Sequence, residues 1–178
     1  MKPFMKPVPC LAALSLALLL GACGAVQTVK QASVSTARAI FIAQTLTLKL
    51  DLVARESINS DDKDQPMSVV VRVYQLKDGK ALQDAPYDKI LADDNTVLKD
   101  TLVARKELLL RPGATVSLDE PLDQTTQAVG VAVFFRKENK DNTWHVMIPR
   151  ADLSDDKPVR LSVTGYTIKR DPPPKANT

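Results

Sequence analysis

The chain has 178 residues, with 24 Lys plus Arg against 21 Asp plus Glu, 44% hydrophobic and 25% charged residues; this is the make-up of one globular domain with a short appendage and excludes a large multidomain enzyme. Lys2 and Lys6 supply two of the cations, so the remainder is near neutral and lacks the basic footprint of a nucleic-acid binder. One histidine, His145, and two cysteines, Cys10 and Cys23, exclude a histidine cluster, a cysteine-rich zinc site and a disulfide framework.

The amino terminus reads as an address. Lys2 and Lys6 precede an apolar run from Leu11 to Leu20 that is too short to span a bilayer as a permanent helix, so residues 1–22 form a signal peptide. The run closes on Leu20-Gly21-Ala22-Cys23, which resembles the bacterial lipobox. The resemblance implies cleavage before Cys23 and covalent lipid on its thiol; the alternative is an ordinary signal peptide that happens to end beside a cysteine. Each buried methylene adds about 0.8 kcal/mol, so several acyl chains would anchor the protein to a membrane without any helix crossing it. Gly24 stands where an Asp would resemble the inner-membrane retention signal, so the resemblance implies the outer membrane. Cys10 leaves with the signal, and the mature chain then has no free thiol.

Residues 23–43 contain no proline and little periodicity, and read as the lipidated cysteine and a tether; from Cys23 to Thr45 it could reach roughly 70 Å when extended. Residues 44–170 read as an all-β sandwich domain. Leu46, Leu48, Leu50 and Leu52 alternate with polar residues, the period of a strand with one buried face. Ser68 to Leu76 is valine-rich on one face and mixed on the other, as in a central strand. Further strands are predicted at 106–111, 114–119, 128–136, 143–149 and 158–168, which makes seven. Pro112-Gly113 and Lys137 to Asn142 read as the turns of antiparallel hairpins. Between Lys77 and Val103 a short helix is predicted, capped by Asp84, with Tyr87, Ile90 and Leu91 on one face. Residues 171–178 form a proline-rich tail without an assigned role.

Little in the sequence nominates catalysis. His145 lies in a predicted strand with no nucleophile motif to serve, and Trp144 beside it reads as core. The pairs Asp61-Asp62, Asp93-Asp94 and Asp155-Asp156 fall in predicted loops and read as solvated turns rather than acid/base or cation sites. The six glycines are scattered and form no phosphate-binding loop, and aromatics are only 4%, too few for sugar or nucleobase platforms. No metal ligand set and no cofactor beyond the lipid on Cys23 are expected.

The feature left over is the long connection from Ala54 to Met67 between the first two strands. It reads either as a mobile charged link or as a recognition loop on a rigid scaffold. The run Leu50 to Lys77, with its VVVRVYQL core, resembles the outer-membrane lipoproteins of type VI secretion, the TssJ/SciN (VasD) family. The residues Ala85 to Leu91, Glu107 to Gly113 and Val129 to Arg136 extend that resemblance. It implies a transthyretin-like antiparallel sandwich of two sheets and seven or eight strands, displayed in the periplasm. It further implies docking of the periplasmic C-terminal region of the inner-membrane protein TssM. In that family the loop between the first two strands meets TssM, so the resemblance assigns partner contact to Ile58, Asn59, Ser60, Asp61, Asp62, Lys63, Asp64 and Gln65, with Asp61, Asp62 and Asp64 as polar contacts; a rim of acids sets specificity, and affinity is expected from a few buried anchors such as Ile58.

Three readings follow. The first is a non-enzymatic structural subunit that grips a partner through this loop. The second is a periplasmic lipoprotein carrying a small apolar ligand in a cavity lined by Val129, Val131 and Val133. The third is a hydrolase using paired carboxylates converging from different strands.

Overall fold

The computed structural model describes residues 47–138 and 143–172; the signal, Cys23, the tether, part of the predicted 137–142 turn and most of the proline-rich tail lie outside the described residues. Eight strands form two four-stranded sheets. One has the order β4-β1-β7-β8 and the other β3-β2-β5-β6, with β1 at Thr47–Ile58, β2 at Val69–Leu76, β3 at Leu102–Leu110, β4 at Thr115–Pro121, β5 at Ala128–Phe134, β6 at His145–Pro149, β7 at Val159–Gly165 and β8 at Thr167–Arg170. The extra strand comes from the predicted 158–168 run, which breaks at Gly165. Gly165 takes φ +56, a turn conformation a side chain disfavours, and the chain reverses there so that Thr164 pairs with Thr167.

The alternation read in β1 holds: Leu48, Leu50, Leu52 and Ala54 are buried, while Lys49, Asp51 and Val53 are only half-buried. Each fully buried leucine contributes about 2 kcal/mol relative to exposure. β2 is central, between β3 and β5, and Val71 and Val73 pair with Val133 and Val131 in the core. Five of the six strand pairs are antiparallel, and the exception is β1 with β7, which run parallel. Pro112-Gly113 does not close a hairpin, because β3 and β4 belong to different sheets; the turn carries the chain across the sandwich. The β5 and β6 pair is antiparallel, as read.

The insertion holds two helices, α1 at Lys80–Asp84 and α2 at Tyr87–Leu98, rather than one. Asp84 caps neither; it ends α1 and pairs with Lys80. Pro86, extended at ψ 148, starts α2. Tyr87 and Ile90 face inward as expected, but Leu91 is 46% exposed, and the buried stripe continues through Asp94 and Leu98. Asp93 leaves the helical conformation and accepts bonds from the Thr96 N–H at 3.1 Å and hydroxyl at 2.6 Å, so it caps a fresh turn and kinks the helix. These helices cover the outer face of β2 and β5. A Cβ on Gly130 would collide with the Leu82 methyl of α1, so the glycine permits that close approach.

Candidate functional site

The registers place one set of connections together at one end of the sandwich. β1 ends there at Ile58 and β2 begins at Val69; Leu110 of β3 pairs with Val69, Phe134 of β5 pairs with Val70, and Gly165 of β7 pairs with Ile58. The 59–68 loop, the Arg111–Ala114 turn, the start of the β5–β6 connection and the Gly165–Tyr166 turn therefore share this end.

β1 runs further than its alternation indicates, so the loop begins at Asn59 rather than Ala54. Between Ala54 and Ile58 the β1–β7 register slips, and Arg55, Glu56 and Ser57 bulge outward, all three exposed. The slip returns Ile58 to the core with 0% exposure, so it packs inside this chain and presents no surface to a partner. Asn59 is also buried, at 4% exposure, with φ +49. Its N–H donates to the Gly165 carbonyl at 2.9 Å, its Nδ2 to the Ser68 carbonyl at 3.0 Å, and its Oδ1 accepts from the Arg136 N–H at 2.7 Å.

Beyond Asn59 the loop is built, not slack. The Asp61 carboxylate accepts from the N–H groups of Lys63 at 2.8 Å and Gln65 at 2.9 Å, and its own N–H donates to the Gln65 carbonyl at 2.9 Å. Asp64 takes φ +59 to close the turn. Ser60 accepts from the Tyr166 hydroxyl. Asp62, Lys63, Asp64 and Gln65 are exposed, as are Pro66, Met67 and Ser68. Asp62 pairs with Lys137 at 3.0 Å, and the hydrogen bond and charge of that lysine hold the Asp62 carboxyl below the usual range. Of the eight residues assigned from sequence, Ile58 and Asn59 are thus internal supports, half-buried Ser60 is held by Tyr166, Asp61 shapes the loop, and the outward face is Asp62 to Gln65. Arg136, Lys137 and Tyr166 were not singled out in the sequence; Gly165 inside a strand pattern is the signal that a turn lay there.

The acid pairs divide their labour. Asp61 turns the loop while Asp62 faces solvent. Asp93 caps a turn, whereas Asp94 is 3% exposed and accepts from the Tyr74 hydroxyl at 2.7 Å, Arg105 at 2.7 Å and Arg72 at 3.2 Å, which overturns its reading as a solvated turn. Burial, and then the Asp94 carboxylate, push the Tyr74 hydroxyl well above its ordinary range. Asp155 accepts from the Thr47 N–H at 2.9 Å and so holds the start of β1. None of these pairs converges with another on a common point, and among the described residues no group of three or more metal-ligating side chains forms. His145 is half-buried, 4.3 Å from the Trp144 ring centre, with its Nδ1 buried and unpartnered among the described residues; burial pushes its pKa down, so it is neutral at pH 7. Val129, Val131 and Val133 are fully buried members of the core, so the space a ligand carrier would need there is filled. No helix among the described residues is long and apolar enough to cross a membrane.

The sequence matches, over residues 46–166, the model of the T6SS-SciN family, described as Type VI secretion lipoprotein, VasD, EvfM, TssJ, VC_A0113. The chain belongs to the type VI secretion lipoprotein family. Solved structures agree. A chain of a structure described as "Type VI membrane complex" is 41% identical, with TM-score 0.69, covering 72% of this chain and 100% of its own length. A chain of the structure "T6SS protein TssM C-terminal domain (869-1107) from EAEC" is 38% identical, with TM-score 0.65, covering 72% and 99%. The lipoprotein TssJ1 of Pseudomonas aeruginosa is 25% identical, with TM-score 0.58, covering 72% and 98%. No curated protein matches the sequence. In this member of the family the 59–68 loop stands at one end of the sandwich on a buried asparagine.

Proposed function

We propose that this chain is an outer-membrane-anchored periplasmic lipoprotein of the type VI secretion membrane complex. It docks the periplasmic C-terminal region of TssM through the exposed part of the 59–68 loop and performs no catalysis. Lipid on Cys23 holds it to the outer membrane, a reading supported by the lipobox-like Leu20-Gly21-Ala22-Cys23 and by the family's description as lipoproteins. The observation that carries the partner is the 38% identical match in the TssM C-terminal domain structure. This chain covers 99% of the matched chain with only 72% of its own 178 residues, and the TssM stretch named there, 869-1107, is longer than this entire chain. The matched chain is therefore a smaller companion of the TssM domain in that structure.

The loop's chemistry suits a docking role. It is internally hydrogen-bonded and exposed and carries charges of both signs, which steer association and set specificity more than they add affinity. The test is recovery of the TssM region by the full-length lipoprotein in detergent, with Asp62→Lys beside the parent. Recovery is expected to fall with the thermal melt nearly unchanged, because the Asp62–Lys137 pair is exposed and contributes little to stability. Undiminished recovery by the variant removes the loop from the interface.

A further inference from the structure

Three connections that are far apart in sequence are fastened to one another at the recognition pole, and one residue, Asn59, bonds to all three through its side chain and backbone. Asn59 bonds Ser68 across the base of its own loop, Arg136 at the start of the β5–β6 connection, and, through its backbone, Gly165 in the β7–β8 turn. Around it the same three segments meet again: Tyr166 donates to Ser60, the Tyr166 and Phe135 rings lie edge to face at 6.1 Å, and Lys137 pairs with Asp62. A loop serving only as a link between β1 and β2 needs none of these cross-contacts.

We propose that the surface offered to the partner is a platform of the 59–68 loop, residues 135–138 and the Gly165–Tyr166 turn, with Lys137 and Tyr166 alongside Asp62, and that Asn59 is the positioning residue that pre-assembles it without touching the partner. The proposal rests on the docking reading above and deepens it. Its physical basis is pre-organisation: loops held in the bound arrangement before encounter lose less freedom on binding. Asn suits the position because it tolerates the left-handed backbone and offers both a donor and an acceptor. Asp at this position would keep an acceptor for Arg136 and lose the donor to Ser68; Gly would keep the backbone geometry and lose both bonds.

The experiment measures Kd of the full-length chain in detergent for its cognate TssM C-terminal region, with thermal melts of every variant. Asn59→Gly is expected to bind about tenfold more weakly, the cost of re-ordering the released connections on binding, and Asn59→Asp to fall between it and the parent. Lys137→Ala is expected to weaken binding by itself yet add almost nothing on top of Asn59→Gly, since the asparagine acts by aligning that lysine with the loop. Asp94→Asn, which disturbs a buried network on the helix-covered face, is expected to lower the melt and leave Kd at the parent value. Parental affinity in Asn59→Gly, full additivity of its effect with that of Lys137→Ala, or a Kd for Asp94→Asn that worsens along with its melt would each overturn the platform while leaving the docking reading standing. A parent chain that does not bind the TssM region overturns the docking reading and the platform with it.

Discussion

Asp93 and Asp94 show how little adjacency in sequence says about shared work. One carboxylate is exposed and spends its oxygens on Thr96, while its neighbour is 3% exposed between two arginines and a tyrosine. Strand and helix periodicity indicate which residues point inward but not which buried acid finds partners, and Arg72 and Arg105 lie on the two strands that flank the helical insertion. His145 makes a residue-scale prediction with a definite sign. The native state keeps the imidazole neutral, with its pKa below the ordinary value; the unfolded chain takes up a proton near pH ~6.5. Stability therefore falls as pH drops below that value, until the folded pKa is passed. Urea denaturation of the parent and His145→Phe at pH about 7.5 and about 5.5 should show a smaller acid loss in the variant. Identical acid losses would show that His145 carries none of it.

At the scale of elements, Gly130 links sequence to packing most directly. In the run Val129-Gly130-Val131-Ala132 the valines face the core and the small residues face outward, where α1 lays Leu82 against the sheet. Gly130→Ala is expected to destabilise the fold by about 1–3 kcal/mol through overpacking. Combination with Leu82→Ala should lose less than the two single losses added together, because the shorter side chain relieves the clash; strict additivity in chemical denaturation would refute that contact. The strands were legible because alternation in β1 and the valine-rich run of β2 follow directly from burial. Pairing was less so. That β1 lies parallel to β7, and that Pro112-Gly113 changes sheets instead of closing a hairpin, depend on pairings between strands that are not neighbours in the chain, on which local pattern is silent. The outward bulge at Arg55–Ser57 was equally hidden: three polar residues in succession read as loop, yet the strand continues through them to bury Ile58. The candidate loop itself was visible from its length and charge, whereas its dependence on Arg136 and Gly165 was not.

For the whole molecule, the anchor and the grip are separable predictions. Cys23→Ala should move the protein from the membrane to the soluble fraction of the periplasm while the purified chain still captures the TssM region; a variant that stays with the membrane refutes lipid attachment at Cys23. The first described residue and the 59–68 loop lie at opposite ends of one strand. β1 takes the chain from Thr47, where the amino-terminal segment is joined, to Ile58, where the recognition loop leaves, a length of roughly 40 Å for its 12 residues. A pull between a membrane holding the first end and a partner holding the 59–68 loop is carried in part along this strand. β1 is clasped by β4 on one side and β7 on the other, through bonds lying across the direction of pull. Such a pull loads the rungs together in shear instead of opening them one by one like a zip, so the strand that joins tether to loop is seated where the sandwich can best carry a mechanical load.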